Sequence, residues 1–223
     1  MSVAALLVLG GIVALDATSF GQLMLSRPLV AGTLAGALVG APLEGALVGA
    51  SLEALSLTVL PVGASRYPDT GTAAVAAAGT LGLAGSEATA PALLLALVYG
   101  LAWQRVAGAT VVAGRYLNER MVRAGQPSRA RMDTLIEHRH LETMLLDVIR
   151  GVVITAAAVM AGVPLLLMAI ERWALPANMA AVAIAVSTAA VLAGAVPLFA
   201  EASRGRAFLV LGLLCGSILA LIR

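Results

Sequence analysis

Long apolar runs with few charges between them dominate the hydrophobic pattern of this chain. The charge-free stretches are Met1–Leu15, Ala88–Gln104, Gly151–Ile170, Trp173–Ala200 and Ala207–Ile222. A helix that crosses a bilayer needs about 20 mostly apolar residues. The pattern therefore predicts membrane helices. It also predicts that the first run is itself a membrane segment, because it has neither the basic start nor the cleavage site of a signal peptide.

The region between Pro28 and Gly85 is apolar too, but it is interrupted. Prolines at positions 28, 42, 61 and 68 and many glycines divide it into pieces shorter than a bilayer. Irregular backbone at membrane depth persists only where protein or a water-filled cavity covers it. Short segments broken by Gly and Pro point to the binding site of a transporter. The alternative is a set of tilted, kinked helices without a site.

Charge is concentrated in the middle of the chain. Seven of the fourteen arginines lie between Arg115 and Arg150, and clustered Arg beside membrane segments marks the cytoplasmic side. We predict two helices here, joined at Gly125–Ser128. The second would place an apolar face against the membrane or a partner, although a solvated connector fits the pattern equally well.

The chain is predicted to have three regions. They are a broken N-terminal membrane region (1–104), a cytoplasmic amphipathic connector (105–150) and C-terminal membrane helices (151–223).

Composition narrows the class of protein further. Hydrophobic residues make up 61% of the chain and charged residues 12%, which excludes an ordinary soluble enzyme and a disordered chain. A net charge of +2 and 4% aromatic residues favour no nucleic-acid partner. The absence of lysine from the sequence excludes a P-loop mechanism.

Acidic residues inside apolar segments are the first candidates for function. Asp16, Glu44, Glu53 and Asp69 are such residues, and a charge at the bilayer centre costs roughly 2.5 to 3.5 kcal/mol on insertion scales. The glutamates end two copies of a nine-residue repeat, 36–44 and 45–53. Because Pro42 disfavours a continuous helix, we expect Glu44 in a turn and Glu53 inside a segment. Glycines four apart in each copy would allow close helix contact.

Asp69 follows Pro68 and precedes an alanine-rich run. It fits either a simple N-cap or a carboxylate that faces a cavity at a broken helix end. Arg66 and Tyr67 are close by, and a carboxylate, a guanidinium and an aromatic face together suit a polyol ligand.

No constellation for catalysis is apparent. His138 and His140 are two residues apart and do not share a helix face, so we expect a solvated pair. We expect no catalytic residue, no metal site and no cofactor.

The order of short motifs in residues 16–85 identifies a family. The motifs are Gly21–Val30 with its Arg27-Pro28-Leu29, the glycines at 32, 36, 40, 45 and 49, Leu52-Glu53, Pro61–Ala64, and Pro68-Asp69. In this order and spacing they resemble the IIC membrane subunit of the mannose/fructose/sorbose family of the bacterial sugar phosphotransferase system (PTS).

The resemblance implies an all-α polytopic membrane protein with transmembrane helices and Gly/Pro-broken re-entrant segments. It implies a multi-pass sugar permease subunit in the bacterial inner (plasma) membrane. Such a subunit pairs with a IID membrane subunit and assembles as a trimer of IIC–IID pairs. Cytoplasmic IIA and IIB phosphocarriers supply the phosphoryl group. Phosphoryl transfer would belong to those partners, so that His138 and His140 carry no phosphate.

The resemblance also implies sugar-binding residues. Glu53 and Asp69 would line the site, next to Gln22 and Arg27 from the preceding motif. Arg66 and Tyr67 are bulkier than the small residues common at their positions in the family; from their own chemistry we expect Arg66 to donate hydrogen bonds and Tyr67 to stack on the ring. Other members carry Gln or His near the Arg-Pro pair, where this chain has Met24 and Ser26. That departure keeps open a transport-inactive scaffold that docks phosphocarriers. A small-solute transporter outside the PTS is the other alternative.

Overall fold

Helices account for nearly all of the chain that the computed structural model describes, namely residues 3–57, 68–85, 90–124, 132–172, 207 and 210–211. In chain order they are α1 (Val3–Thr18), α2 (Pro28–Val39), α3 (Pro42–Ser56), α4 (Thr70–Leu83), α5 (Ala90–Ala124) and α6 (Met132–Arg172). Several predicted features lie outside the described residues: the helix joint at Gly125–Ser128, the site residues Arg66 and Tyr67, the span Trp173–Ala200 and most of Ala207–Ile222.

Two of these helices are long and apolar enough to cross a bilayer. The candidate spans are Pro91–Met121 in α5 and His138–Arg172 in α6. They include most of the predicted stretch Ala88–Gln104 and all of Gly151–Ile170. Helix α6 passes residue 150 without a break, so the charged stretch before that residue and the apolar stretch after it form one rod. The division of the chain into three regions stays a prediction.

Helices α2 and α3 are much shorter than the bilayer. They have 12 and 15 residues, which at about 1.5 Å per residue corresponds to about 18 and 22 Å. Each begins with proline, at Pro28 and Pro42, a position that needs no N–H donor. The prediction for Glu44 was therefore wrong: it lies in the first turn of α3, because Pro42 starts this helix instead of interrupting it. Glu53 lies in the same helix, as predicted for it.

Close packing of α2 on α3 depends on glycine. A Cβ atom on Gly32 would lie 2.7 Å from the backbone oxygen of Gly45, and one on Gly45 would overlap the oxygen of Gly32. The predicted packing role of the repeat glycines is thus confirmed for Gly36, Gly45 and Gly49, which all meet backbone of the other helix or of its connection. Gly40 differs, since it ends α2 with a left-handed φ of 85°.

Helix α4 lies at the centre of the described helices. All its residues from Gly71 to Leu81 are buried, and it contacts each of the other five helices. Small side chains let those neighbours approach, while Leu6, Val13 and Leu52 fill the space between them. Large apolar side chains on the outside of α1, α5 and α6 are exposed, as expected of helices that face lipid or another membrane subunit. The predicted all-α fold class is confirmed.

Candidate functional site

A cavity of about 510 Å³ opens where the end of α1, the loop after it, the end of α3 and the start of α4 meet. Val111 of α5 closes one side. Much of the remaining lining is polar: Asp16, Thr18, Gln22, Ser26, Arg27, Ser56, Asp69 and Thr70. Ligand pockets for small molecules typically measure about 300 to 1,000 Å³, so the cavity has room for one small polar ligand.

The loop between α1 and α2 has an unusual backbone that Asp16 holds in place. Gln22 and Met24 adopt positive φ angles of 48° and 64°, a region that non-glycine residues rarely occupy. The carboxylate of Asp16, which is buried, accepts a hydrogen bond from the N–H of Leu23 at 2.5 Å and one from the N–H of Ser26 at 2.8 Å. These bonds offset the backbone cost, and they place the loop against the cavity.

Asp69 lies at the first turn of α4 and is both a cap and an ion-pair partner. Its Oδ1 accepts a hydrogen bond from the N–H of Thr72 at 3.2 Å, which confirms the N-cap interpretation. Its Oδ2 accepts one from Nη1 of Arg150 at 2.9 Å, and its own N–H donates to the carbonyl of Gln104 at 3.1 Å. Asp69 also lines the cavity, so the cap and the cavity wall are the same residue.

Arg150 joins α6 to this site, although it belongs to the cluster predicted to face the cytoplasm. Its side chain is 10% exposed, and besides Asp69 it contacts Asp147, with Nε 3.6 Å from Oδ1, and Thr110, at 3.5 Å. Asp147 in turn accepts a hydrogen bond from the hydroxyl of Ser19. A chain of polar contacts thus runs from the start of α4 through α6 to the end of α1.

Arg27 and Glu53 form a second, more exposed pair. Nη1 of Arg27 lies 3.6 Å from Oε1 of Glu53, and Oε2 of Glu53 accepts a hydrogen bond from the N–H of Leu29 at 3.0 Å. Glu53 therefore holds the start of α2 and the side chain of Arg27, which lines the cavity.

The structure brings together part of the predicted site. Gln22, Arg27 and Asp69 line one cavity, whereas Glu53 does not line it but contacts Arg27, which does. Arg66 and Tyr67 are outside the described residues. The histidines at 138 and 140 are exposed on α6, as predicted.

Two charged residues that organise the site, Asp16 and Arg150, were not among those predicted to bind the ligand. Asp16 has a signal in the sequence, as an acid at the end of an apolar run, but its loop bonds depend on backbone angles that no motif shows. Arg150 directly precedes the charge-free stretch 151–170, which distinguishes it from the other clustered arginines. Its pairing with Asp69 spans 81 positions and is visible only in the fold.

These groups suit a neutral ligand with many hydroxyls. A carboxylate accepts several hydrogen bonds, a guanidinium donates up to five, and an amide does both. Arg150 pairs with Asp69 and Arg27 with Glu53, while the carboxylate of Asp16 accepts two backbone hydrogen bonds. Positive charge is therefore not in excess, and the cavity does not favour an anion.

Comparison with known proteins agrees with this chemistry. A family model described as the PTS system sorbose-specific IIC component matches residues 1–175. The match includes all six helices from α1 to α6, and with them every residue that lines the cavity. A search of curated proteins gave no match. Because the family model covers most of the chain, this protein belongs to the sorbose-specific IIC family of the sugar phosphotransferase system, whose members are membrane permease components for sugars.

Proposed function

We propose that this IIC subunit binds a hexose or a related sugar in the cavity between α1, α3 and α4 and moves it across the bacterial inner membrane for phosphorylation by a IIB partner. The observation that carries the proposal is the cavity of about 510 Å³ itself, lined by Asp69, Arg27 and Gln22. Membership of the sugar-permease family supplies the class of ligand, and the paired charges do not favour an anion.

Asp69 would be the principal acceptor for sugar hydroxyls. Each of its oxygens already accepts one hydrogen bond, from Thr72 and from Arg150, and each retains a further lone pair. The two existing bonds fix the carboxylate before the ligand arrives, which reduces the ordering cost of binding.

Arg27 and Gln22 would donate to the ligand from the other side. Arg27 has its long ion pair with Glu53, which leaves most of its five N–H donors for other partners. Gln22 is held at the cavity by the loop that Asp16 organises. In this proposal Glu53 orients Arg27, and its effect on the sugar is indirect.

Movement of the short helices would give the sugar access to both sides in turn. The paired helices α2 and α3 hold Arg27 and Glu53, while Asp69 is tied to α6 through Arg150. A shift of the α2–α3 pair against the longer helices would therefore separate the two halves of the site. Alternating access in transporters commonly takes this form.

The proposed assembly follows the family. A IID subunit would cover part of the exposed apolar surface of α1, α5 and α6, in trimers of IIC–IID pairs, and IIA and IIB would supply the phosphoryl group. The chain itself would do no phosphoryl transfer and would span the membrane several times.

Sugar binding and uptake by matched variants test the proposal. Asp69→Asn keeps the shape and the cap but removes a charged acceptor, and a hydrogen bond to a charged group is worth about 1.5 to 3 kcal/mol. We expect about tenfold to a hundredfold weaker binding of radiolabelled sorbose, mannose or fructose. Glu53→Gln should have a smaller effect, and Glu44→Gln, on the opposite side of the same helix, should have none.

Membrane levels of each variant provide the control for folding. Wild-type binding and uptake by Asp69→Asn would contradict the assignment of the site. If the unmodified chain with its partners neither binds nor takes up these sugars, the transport proposal is wrong, and the scaffold that docks phosphocarriers becomes the better explanation.

A further inference from the structure

A second, smaller polar cavity adjoins the first. It measures about 150 Å³ and is lined by residues that include Ser19, Arg115, Asn118 and Asp147. Thr18 and Val111 line both cavities. These two residues therefore form part of the wall between them.

Arg150 lines neither cavity but connects their linings through its two ion-pair partners. It contacts Asp69, which lines the larger cavity, and Asp147, which lines the smaller one. A guanidinium between two carboxylates keeps an opposite charge beside it when it moves from one to the other. The wall thus contains Thr18 and Val111, and an ion-paired side chain with two carboxylate partners lies beside it.

Polar atoms in and beside the smaller cavity lack partners. Oδ1 of Asn118 is buried and accepts no hydrogen bond within the described part of the chain. Nη2 of Arg150 is also buried, and it donates none there. A buried polar atom without a partner is costly. Asn118 lines the smaller cavity, so a ligand with hydroxyl donors would satisfy it there.

The direction from the larger to the smaller cavity leads toward the arginine-rich ends of α5 and α6. On α5 it runs from Val111 to Asn118, and on α6 from Arg150 back to Asp147. Both helices carry the clustered arginines further along the same direction, at positions 115, 120 and 123 and at 139. By the positive-inside rule this is the cytoplasmic side.

We propose that the smaller cavity is a second sugar subsite on the exit path, which widens to admit the sugar because about 150 Å³ is below the size of small-molecule pockets, and that Thr18, Val111 and the adjacent Arg150 form the gate between it and the first. The proposal rests on the proposed sugar transport. Sugar leaving the larger cavity displaces Arg150 from Asp69 toward Asp147, enters the smaller cavity and donates to Asn118 before release to the cytoplasmic side.

Gly114 offers a direct test, because it lines the smaller cavity and not the larger one. A Cβ atom there meets nothing within 4 Å, so side chains of increasing size fill the cavity without a backbone clash. We expect Gly114→Ala to transport sorbose, mannose or fructose nearly as the wild type does, and Gly114→Phe to lose at least tenfold in uptake. Sugar binding to the purified complex should change less than threefold. Ala102→Phe, at an exposed position of the same helix that lines neither cavity, is the matched control and should keep both activities.

Modification after folding separates blockage from misfolding. In proteoliposomes that contain the purified complex, a bulky methanethiosulfonate reagent on Gly114→Cys should stop sugar exchange, and saturating sugar should slow the modification. The wild-type chain, which carries Cys215, controls for the reagent. Normal exchange by Gly114→Phe, or by the modified Gly114→Cys, would overturn the exit subsite while leaving sugar binding in the larger cavity intact. Absence of sugar binding in the wild type would overturn the proposed function and this inference with it.

Discussion

Replacement of Arg150 by methionine tests the central electrostatic contact of the site. Arg150 is 10% exposed and its partner Asp69 is 3% exposed, with 2.9 Å between Nη1 and Oδ2. Methionine keeps much of the volume and the apolar stem but leaves the carboxylate of Asp69 buried without its counter-charge. Only the cap bond from Thr72 and the solvent of the cavity then remain to stabilise it.

The expected magnitude is large. Removal of one partner from a buried ion pair typically destabilises a protein by about 3 to 5 kcal/mol. The same helix supplies a matched control at Arg139, which pairs with Glu142 at 2.7 Å but with side chains that are 35% and 51% exposed. Exposed pairs of this kind contribute about 0 to 1 kcal/mol. Arg139→Met should therefore change stability little.

Reversible unfolding of the purified protein in mixed micelles, followed by circular dichroism, measures these free energies of unfolding. Arg150→Met should lower the value by about 3 kcal/mol or more. The double variant Asp69→Asn/Arg150→Met should lose less than the sum of the single variants, because it leaves no unpaired charge at position 69. Equal losses for Arg150→Met and Arg139→Met would refute the reasoning, since burial would then not decide the cost.

Two further predictions concern the loop and the helix pair. Asp16→Ala removes two hydrogen bonds from backbone N–H groups to a charged acceptor. It should lower the free energy of unfolding by about 2 to 3 kcal/mol and weaken sugar binding severalfold. Unchanged binding would show that Gln22 and Arg27 do not depend on this loop. Gly45→Leu places a side chain against the backbone of Gly32 and should destabilise the protein by about 3 kcal/mol, which thermal unfolding measures. A stability equal to that of Gly114→Ala would contradict the close packing of α2 on α3.

The sequence was informative where a local pattern determines the structure. The length of the charge-free runs predicted the apolar parts of α5 and α6, and Pro68-Asp69 indicated a cap at the start of α4 as one of two interpretations. Proline was less decisive, because the same residue can interrupt a helix or begin one. Pro42 begins α3, so Glu44 lies in a helix and not in the expected turn.

Contacts between distant positions explain the rest of the site. In the sequence Arg150 is one of seven similar arginines, and only the crossing of α6 beside α4 brings it to Asp69. Asp16 was visible as an unusual acid, but its role depends on the positive φ angles of Gln22 and Met24. Composition and periodicity do not encode such contacts, since they arise from tertiary packing.

A structure of the protein with its IID partner and a bound sugar would test the sugar-binding cavity most directly. We expect the sugar in the cavity of about 510 Å³, with a hydroxyl donating to Asp69 and with Arg27 or Gln22 donating to the ring or its substituents. Sugar bound elsewhere, with Asp69 still held only by Thr72 and Arg150, would contradict the assignment of this cavity as the transport site.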